Sequence, residues 1–97
     1  KKLGILIGRN HKGLTIGVVT DGDLKRALQK NQDINKLSIK KIMTKNPISV
    51  NEDMLAAKAL EIMNSKKITS LCVYNGKIKN RTIGICHIHN ILSANIQ

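Results

Sequence analysis

Apolar positions along this chain fall into short runs with two spacings. Leu3 to Ile7 and Leu14 to Val19 are aliphatic, partly β-branched stretches separated by the turn-prone Arg9, Asn10, His11, Lys12 and Gly13, the pattern of a β-hairpin. Thr20 then begins TDGD, an N-cap with Asp23 three residues later. Leu24, Ala27 and Leu28 give one apolar face to a helix predicted from Asp21 to about Lys30. Residues 31–37 are polar and unpatterned and read as a connector, and Ser38 caps a short helical turn through Met43. Asn46 before Pro47 predicts extended backbone, because a residue ahead of proline is pushed out of the helical region; Ile48 and Val50 continue it as a short strand. With Asn51 as its cap, a longer helix puts Leu55, Ala59, Ile62 and Met63 on one stripe and Glu52, Lys58, Glu61 and Lys66 mostly off it. Leu71 to Tyr74 and Thr82 to His87 read as strands around a loop opened by Asn75 and Gly76, and Ile88 to about Ala94 as a closing helix.

The pattern occurs twice. Thr15, Ile16 and Gly17 recur as Thr82, Ile83 and Gly84, and in the same frame Val18 meets Ile85, Asp23 meets Asn90, Leu24 meets Ile91 and Ala27 meets Ala94. A second turn two residues longer extends the match upstream and brings Lys1, Lys2 and Leu3 onto Lys66, Lys67 and Ile68. One strand, turn, strand and helix unit is therefore repeated. Counterparts of the lead-in segment and long helix at residues 44–65 would precede residue 1, and the chain starts without Met, so it reads as a fragment with a first unit short of its front half.

Composition narrows the class. A chain of 97 residues buries only roughly two thirds of its unfolded surface, so one small domain with a single modest core is expected. Tyr74 is the one aromatic, which leaves Ile, Leu, Val, Met and Ala to build that core and suits strands packed on helices. Met43, Met54 and Met63 read as core filling. Seventeen Lys and Arg against six Asp and Glu give a net charge of +11, which attracts anions. The cations are spread out and mostly Lys, so they read first as a solvated basic surface and only second as a polyanion surface. Cys72 and Cys86 lie in apolar stretches with no CxxC partner, as buried thiols of a reducing compartment do. No apolar run approaches the roughly 20 residues of a bilayer span and no signal peptide is visible, so a soluble cytoplasmic chain without a membrane partner is expected.

The chemistry concentrates where strands hand over to helices. In the first copy Gly17 admits a ligand or another backbone, Thr20 offers a hydroxyl, amides at the helix start can hold a phosphate, and Asp23 can accept from the two hydroxyls of a ribose. The same TxxD is also an ordinary capping box with no ligand. In the second copy the junction residues are His87 and Asn90; His87 can pair with a phosphate or sugar acid, or serve as a hydrogen-bonded structural residue. His87 and His89 share a strand face, but no third ligand lies within sequence reach and no metal is expected. There is no nucleophile with an evident base and no paired carboxylate, hence no predicted catalytic residue.

This repeat, with a GxxTxxD element after the last strand, resembles the cystathionine-β-synthase (CBS) domain, which occurs in tandem pairs. The resemblance implies an α/β (α+β) fold of two βαββα-type motifs related by pseudo-twofold symmetry. Motif 1 would span residues 1–35, truncated at its N-terminus, and motif 2 residues 36–97. It further implies that Thr20 and Asp23, behind Gly17, and Asn90 in the second motif contact the phosphate and ribose of an adenosine-type nucleotide, with Thr44, Asn46 and Pro47 as the lead-in segment against the base. Two departures stand out: His87 replaces the expected Thr or Ser, and the first motif lacks its lead-in, so neither site is intact by the strict pattern.

A narrower resemblance, carried by TDGDLKRAL at 20–28, KIMTKNP at 41–47, KKITSL at 66–71 and HIHNIL at 87–92, is to the CBS pair at the C-terminus of arabinose-5-phosphate isomerases, behind a sugar isomerase (SIS) domain. It implies a non-catalytic regulatory module of an enzyme that interconverts ribulose 5-phosphate and arabinose 5-phosphate for the sugar acid of lipopolysaccharide. Such a module requires no cofactor, senses an adenine nucleotide or a CMP-linked sugar acid between its motifs, and self-associates as a homo-oligomer. Two other readings remain: a structural module that assembles the enzyme without a ligand, favoured by the same departures, and a basic nucleic-acid-binding domain, weakened by the near absence of stacking aromatics.

Overall fold

β-branched residues in the first apolar runs pair as an antiparallel ladder. The computed structural model describes residues 4–30 and 33–96. In it β1 (Ile5–Arg9) pairs with β2 (Thr15–Thr20), Ile5 opposite Thr20 and Gly8 opposite Gly17, with a register shift at Gly8/Arg9. Asn10 closes the turn through an Oδ1 that accepts from the Lys12 and Leu14 amides, and Gly13 supplies the φ of +80° that the turn requires. Helix α1 (Asp21–Gln29) follows β2 without a loop. The connector, expected to be irregular, contains a 3-10 turn at Ile34–Lys36, started by Asp33, whose carboxylate accepts from the Asn35 amide and whose carbonyl accepts from Lys36. Ser38 caps α2 (Ile39–Ile42) as predicted, and β3 (Thr44–Lys45) then adds to the free edge of β2 for a sheet of order β1-β2-β3.

Residues 1–47 form one compact unit and 48–97 another, where length alone pointed to one small domain. Each copy of the repeat carries its own sheet, which is why the apolar residues divide. Asn46, expected to be extended ahead of Pro47, instead has φ +52°. A short amide side chain tolerates this left-handed region, and the bend it makes ends β3.

In the second unit β4 (Ser49–Asn51) runs parallel to β5 (Ser70–Tyr74), and β6 (Gly84–His87) pairs antiparallel on the other side. Between them come α3 (Ala56–Lys66) and, last, α4 (Ile88–Ile96). Val50, Ala59, Met63 and Leu71 are the buried centre, with Ile62, Val73 and Ile91 among the aliphatic residues packed on it. The helix expected to be capped by Asn51 begins four residues later than that cap implies, at Ala56 with Leu55 in the cap position. Asn51 is taken by the sheet: it pairs with Tyr74, and its Oδ1 accepts from the Asp53 amide in a turn rather than capping a helix. Leu55 becomes the N-cap position and is 76% exposed, off the stripe that Ala59, Ile62 and Met63 do form.

The two hairpins have one register. Leu6 faces Val19 and Ile7 faces Val18 in the first; Leu71 faces Cys86 and Cys72 faces Ile85 in the second. Even the junction bond repeats, since Asp21 N–H donates to the Gly4 carbonyl and Ile88 N–H to that of Thr69, both at 2.8 Å. The longer second turn is thereby accounted for. Lys1, Lys2 and Leu3 lie outside the described residues, as does the side chain of Ala94.

Candidate functional site

Thr20 ends β2 in an extended conformation (φ −106°, ψ 168°), which aims its side chain at the first turn of α1. Its Oγ1 accepts from the Asp23 amide at 3.2 Å, and Asp23 Oδ2 accepts in return from the Thr20 amide at 2.9 Å, a complete capping box. The Thr20 hydroxyl also donates to Oδ2, at 3.1 Å. Asp23 Oδ1 accepts from Arg26 Nη2 at 2.7 Å and from the Thr44 hydroxyl at 3.1 Å. The carboxylate is 8% exposed and holds four donors. Burial works to raise its pKa, but the Thr20 amide, the Arg26 guanidinium and the Thr44 and Thr20 hydroxyls outweigh that and hold it below the usual carboxylate value.

Thr44 was assigned by sequence to the lead-in of the second copy. Strand β3 carries it instead against β2 of the first unit, with Val18 opposite Thr44 and Gly17 opposite Lys45. Gly17 makes this possible: a Cβ there would stand 2.7 Å from Met43 Sδ and 2.8 Å from the Thr44 carbonyl oxygen. Of its two predicted uses, the close approach of another backbone is the one realised. The useful halves of two apparently defective sites thus meet, Thr20 and Asp23 from the first copy with Thr44 from the lead-in. Asn46 is exposed and Pro47 half-buried beyond β3, and neither hydrogen-bonds to Asp23.

Of the helix-start amides read as able to hold a phosphate, that of Asp21 donates to the Gly4 carbonyl and that of Asp23 to Thr20. Arg26 was not singled out at all, although an Asp and an Arg at i and i+3 on a helix are placed to pair. Its side chain is 65% exposed, so only its tip is committed to Asp23.

The second junction keeps the cap and loses the charge. Asn90 Oδ1 accepts from the His87 amide at 3.1 Å, as Asp23 does from Thr20, and His87 Nδ1 accepts from the His89 amide at 3.1 Å. The two imidazoles stack with centroids 4.8 Å apart. Nδ1 of His87 is thus occupied by backbone, and among the described residues no group of three His, Cys, Asp or Glu gathers to hold a metal. Cys72 is buried and Cys86 half-buried, neither in a disulfide; burial pushes the Cys86 thiol up. No helix among the described residues is long and apolar enough to cross a membrane.

Residues 39–96 match the family description "CBS domain". This chain belongs to the CBS domain family. Over 96 residues it is 35% identical to arabinose 5-phosphate isomerase KdsD of Pseudomonas aeruginosa, covering 99% of this chain and 29% of that protein. The chain therefore spans under a third of the curated relatives it matches. Among solved structures, the CBS domain pair of protein MJ0100 in complex with 5'-methylthioadenosine and S-adenosyl-L-methionine is 26% identical with a TM-score of 0.79, covering 97% of this chain and 73% of that one. CBSX2 in complex with AMP is 27% identical with a TM-score of 0.73, covering 98% and 72%. The CBS assignment places the chain among regulatory rather than catalytic modules, in keeping with a mixed α/β fold of two three-stranded sheets.

Proposed function

We propose that this chain is the regulatory CBS pair of an arabinose-5-phosphate isomerase, with motifs at 1–35 and 36–97, and that its first junction senses a nucleotide or nucleotide sugar. The meeting of Thr20, Asp23 and Thr44 around one buried carboxylate carries the reading. Identity to KdsD over nearly the whole chain supports the parent enzyme, and neighbours whose names include adenosine compounds support an adenine nucleotide as ligand; a CMP-linked sugar acid is the alternative that the parent enzyme suggests. No cofactor is required.

Asp23 has no empty lone pair waiting for a ribose. Ribose hydroxyls would replace Thr44 and Arg26 on Oδ1, exchanging one set of donors for another, while Thr20 keeps the helix capped through Oδ2. Release of the Thr44 hydroxyl loosens β3, the lead-in strand of the second motif, and a ligand that prefers the released arrangement biases whatever the pair is attached to. Catalysis would reside in an attached SIS domain. The module would work in the cytoplasm, as part of a homo-oligomer serving lipopolysaccharide sugar-acid synthesis.

One observation favours a second reading. All four donors on Asp23 come from the chain itself, so the junction is complete as a structural cap in a module that assembles the enzyme and binds nothing. Isothermal titration of the full-length protein with AMP, ATP and a CMP-linked sugar acid separates the two. Sensing requires saturable binding by one of them, abolished in Asp23→Ala, strengthened in Thr44→Val, which removes the hydroxyl the ribose must displace, and unchanged in His87→Ala. Binding by none, with self-association intact, establishes the structural module.

A further inference from the structure

A groove runs between α1 and α2 of the first unit. It encloses about 190 Å³ and is lined by Asp23, Arg26, Ala27, Lys30, Lys41 and Ile42. Helical spacing explains the α1 side, since positions 23, 26, 27 and 30 fall on one face. The short turn of α2 supplies the rest. Three cations and one carboxylate therefore border a small opening whose floor is the buried Ala27 and the half-buried Ile42.

Asp23 balances one of these cations, Arg26, and its other lone pairs are held by two hydroxyls and an amide, so Lys30 and Lys41 are left without a counter-charge on this groove. All three lie where a helix dipole favours positive charge, Arg26 in the last turn of α1, Lys30 at its C-cap and Lys41 in the last turn of α2, but among the described residues neither the Lys30 nor the Lys41 ammonium forms a salt bridge. Like charges facing one another across a groove repel unless an anion sits between them. Arg26 spends one nitrogen on Asp23 and keeps further donors of its planar fork for such an anion.

We propose that this groove binds a small phosphoryl anion, a diphosphate or a phosphate monoester, held by Arg26, Lys30 and Lys41. The volume sets the size: it falls below the roughly 300–1,000 Å³ of ordinary ligand pockets, so the site takes a phosphoryl group with little attached rather than a whole nucleotide. The proposal stands apart from the nucleotide reading, as it asks for neither ribose on Asp23 nor release of Thr44.

Titration of inorganic pyrophosphate into the full-length protein tests it, with glycerol 3-phosphate as the monoester arm. The double variant Lys30→Gln/Lys41→Gln is compared with Lys77→Gln/Lys79→Gln, an equal loss of charge on the exposed loop of the second unit. Each cation contributes a charge-assisted hydrogen bond, so the groove variant should bind roughly tenfold more weakly or worse while the loop variant binds like wild type. Absence of saturable binding by the wild type, or equal weakening in both doubles, overturns the proposal in favour of diffuse attraction by the basic surface. All four lysines are exposed, so circular dichroism should show every variant folded. Pyrophosphate binding unchanged by Thr44→Val, alongside AMP binding that the same substitution strengthens, would separate this site from the proposed sensor.

Discussion

Asp23 carries the densest chemistry in the molecule, and its ionisation has a consequence for stability. Its folded pKa lies below the unfolded carboxylate value of about 3.9, so the stabilisation it brings is fully present above that value and is lost as pH falls through the folded one. Urea unfolding across the acid range should show wild type losing its advantage over Asp23→Asn as pH drops; a pH-independent difference would contradict this. Thr20→Ala removes the hydroxyl half of the capping box and should cost about 1 kcal/mol in the same measurement, with Thr20→Ser nearly neutral. Gly17→Ala is the sharper test of the site's construction. The new methyl meets the backbone oxygen of Thr44, which retreats only if β3 moves, so a loss of about 1–3 kcal/mol is expected. Sequence named Gly17, Thr20 and Asp23 from local chemistry alone, and left open whether Gly17 admits a ligand or a strand.

Helices and strands were legible to different degrees. Each helix whose apolar period and cap agree was read within a few residues, α1 and α2 among them. The start of α3 was misread because Asn51 is a good cap in isolation but is claimed by pairing with Tyr74, a partner far along the chain. Its end, expected at residue 65, falls at Lys66, but the cap that closes it was not anticipated. Lys67 takes φ +57° with Ile68 N–H donating to the Met63 carbonyl and Lys67 N–H to that of Asn64, the Schellman closure usually given to glycine. Lys67→Gly relieves the left-handed strain and should raise the urea midpoint, by up to about 1 kcal/mol once the added freedom of the unfolded glycine is subtracted.

Over the whole molecule the margins are narrow. Val50, Ala59, Met63 and Leu71 are the buried centre of the second unit, and Met63 is fully buried. Met63→Ala leaves a cavity that no aromatic neighbour can fill, and a loss of about 2–5 kcal/mol should appear as a large fall in the urea midpoint. A net charge of +11 also repels itself in any folded chain of this length. Raising sodium chloride toward 1 M, where screening reaches about 3 Å, should increase the thermal midpoint, provided the anion is not itself bound.

The repeat, the helical and extended runs, the caps at Thr20 and Ser38 and the family itself could be read from residues that lie within a turn or a hairpin of one another. Short-range periodicity and side-chain-to-backbone caps are set by such neighbours, so order along the chain suffices to reveal them. Completion of the site was of another kind. Thr44 reaches Asp23 across 21 residues because β3 pairs with the edge of β2 and Gly17 leaves room for it. Strand pairing can join any two extended segments, and no local spacing marks which, so only the folded chain brought the parts of two incomplete motifs together around one carboxylate.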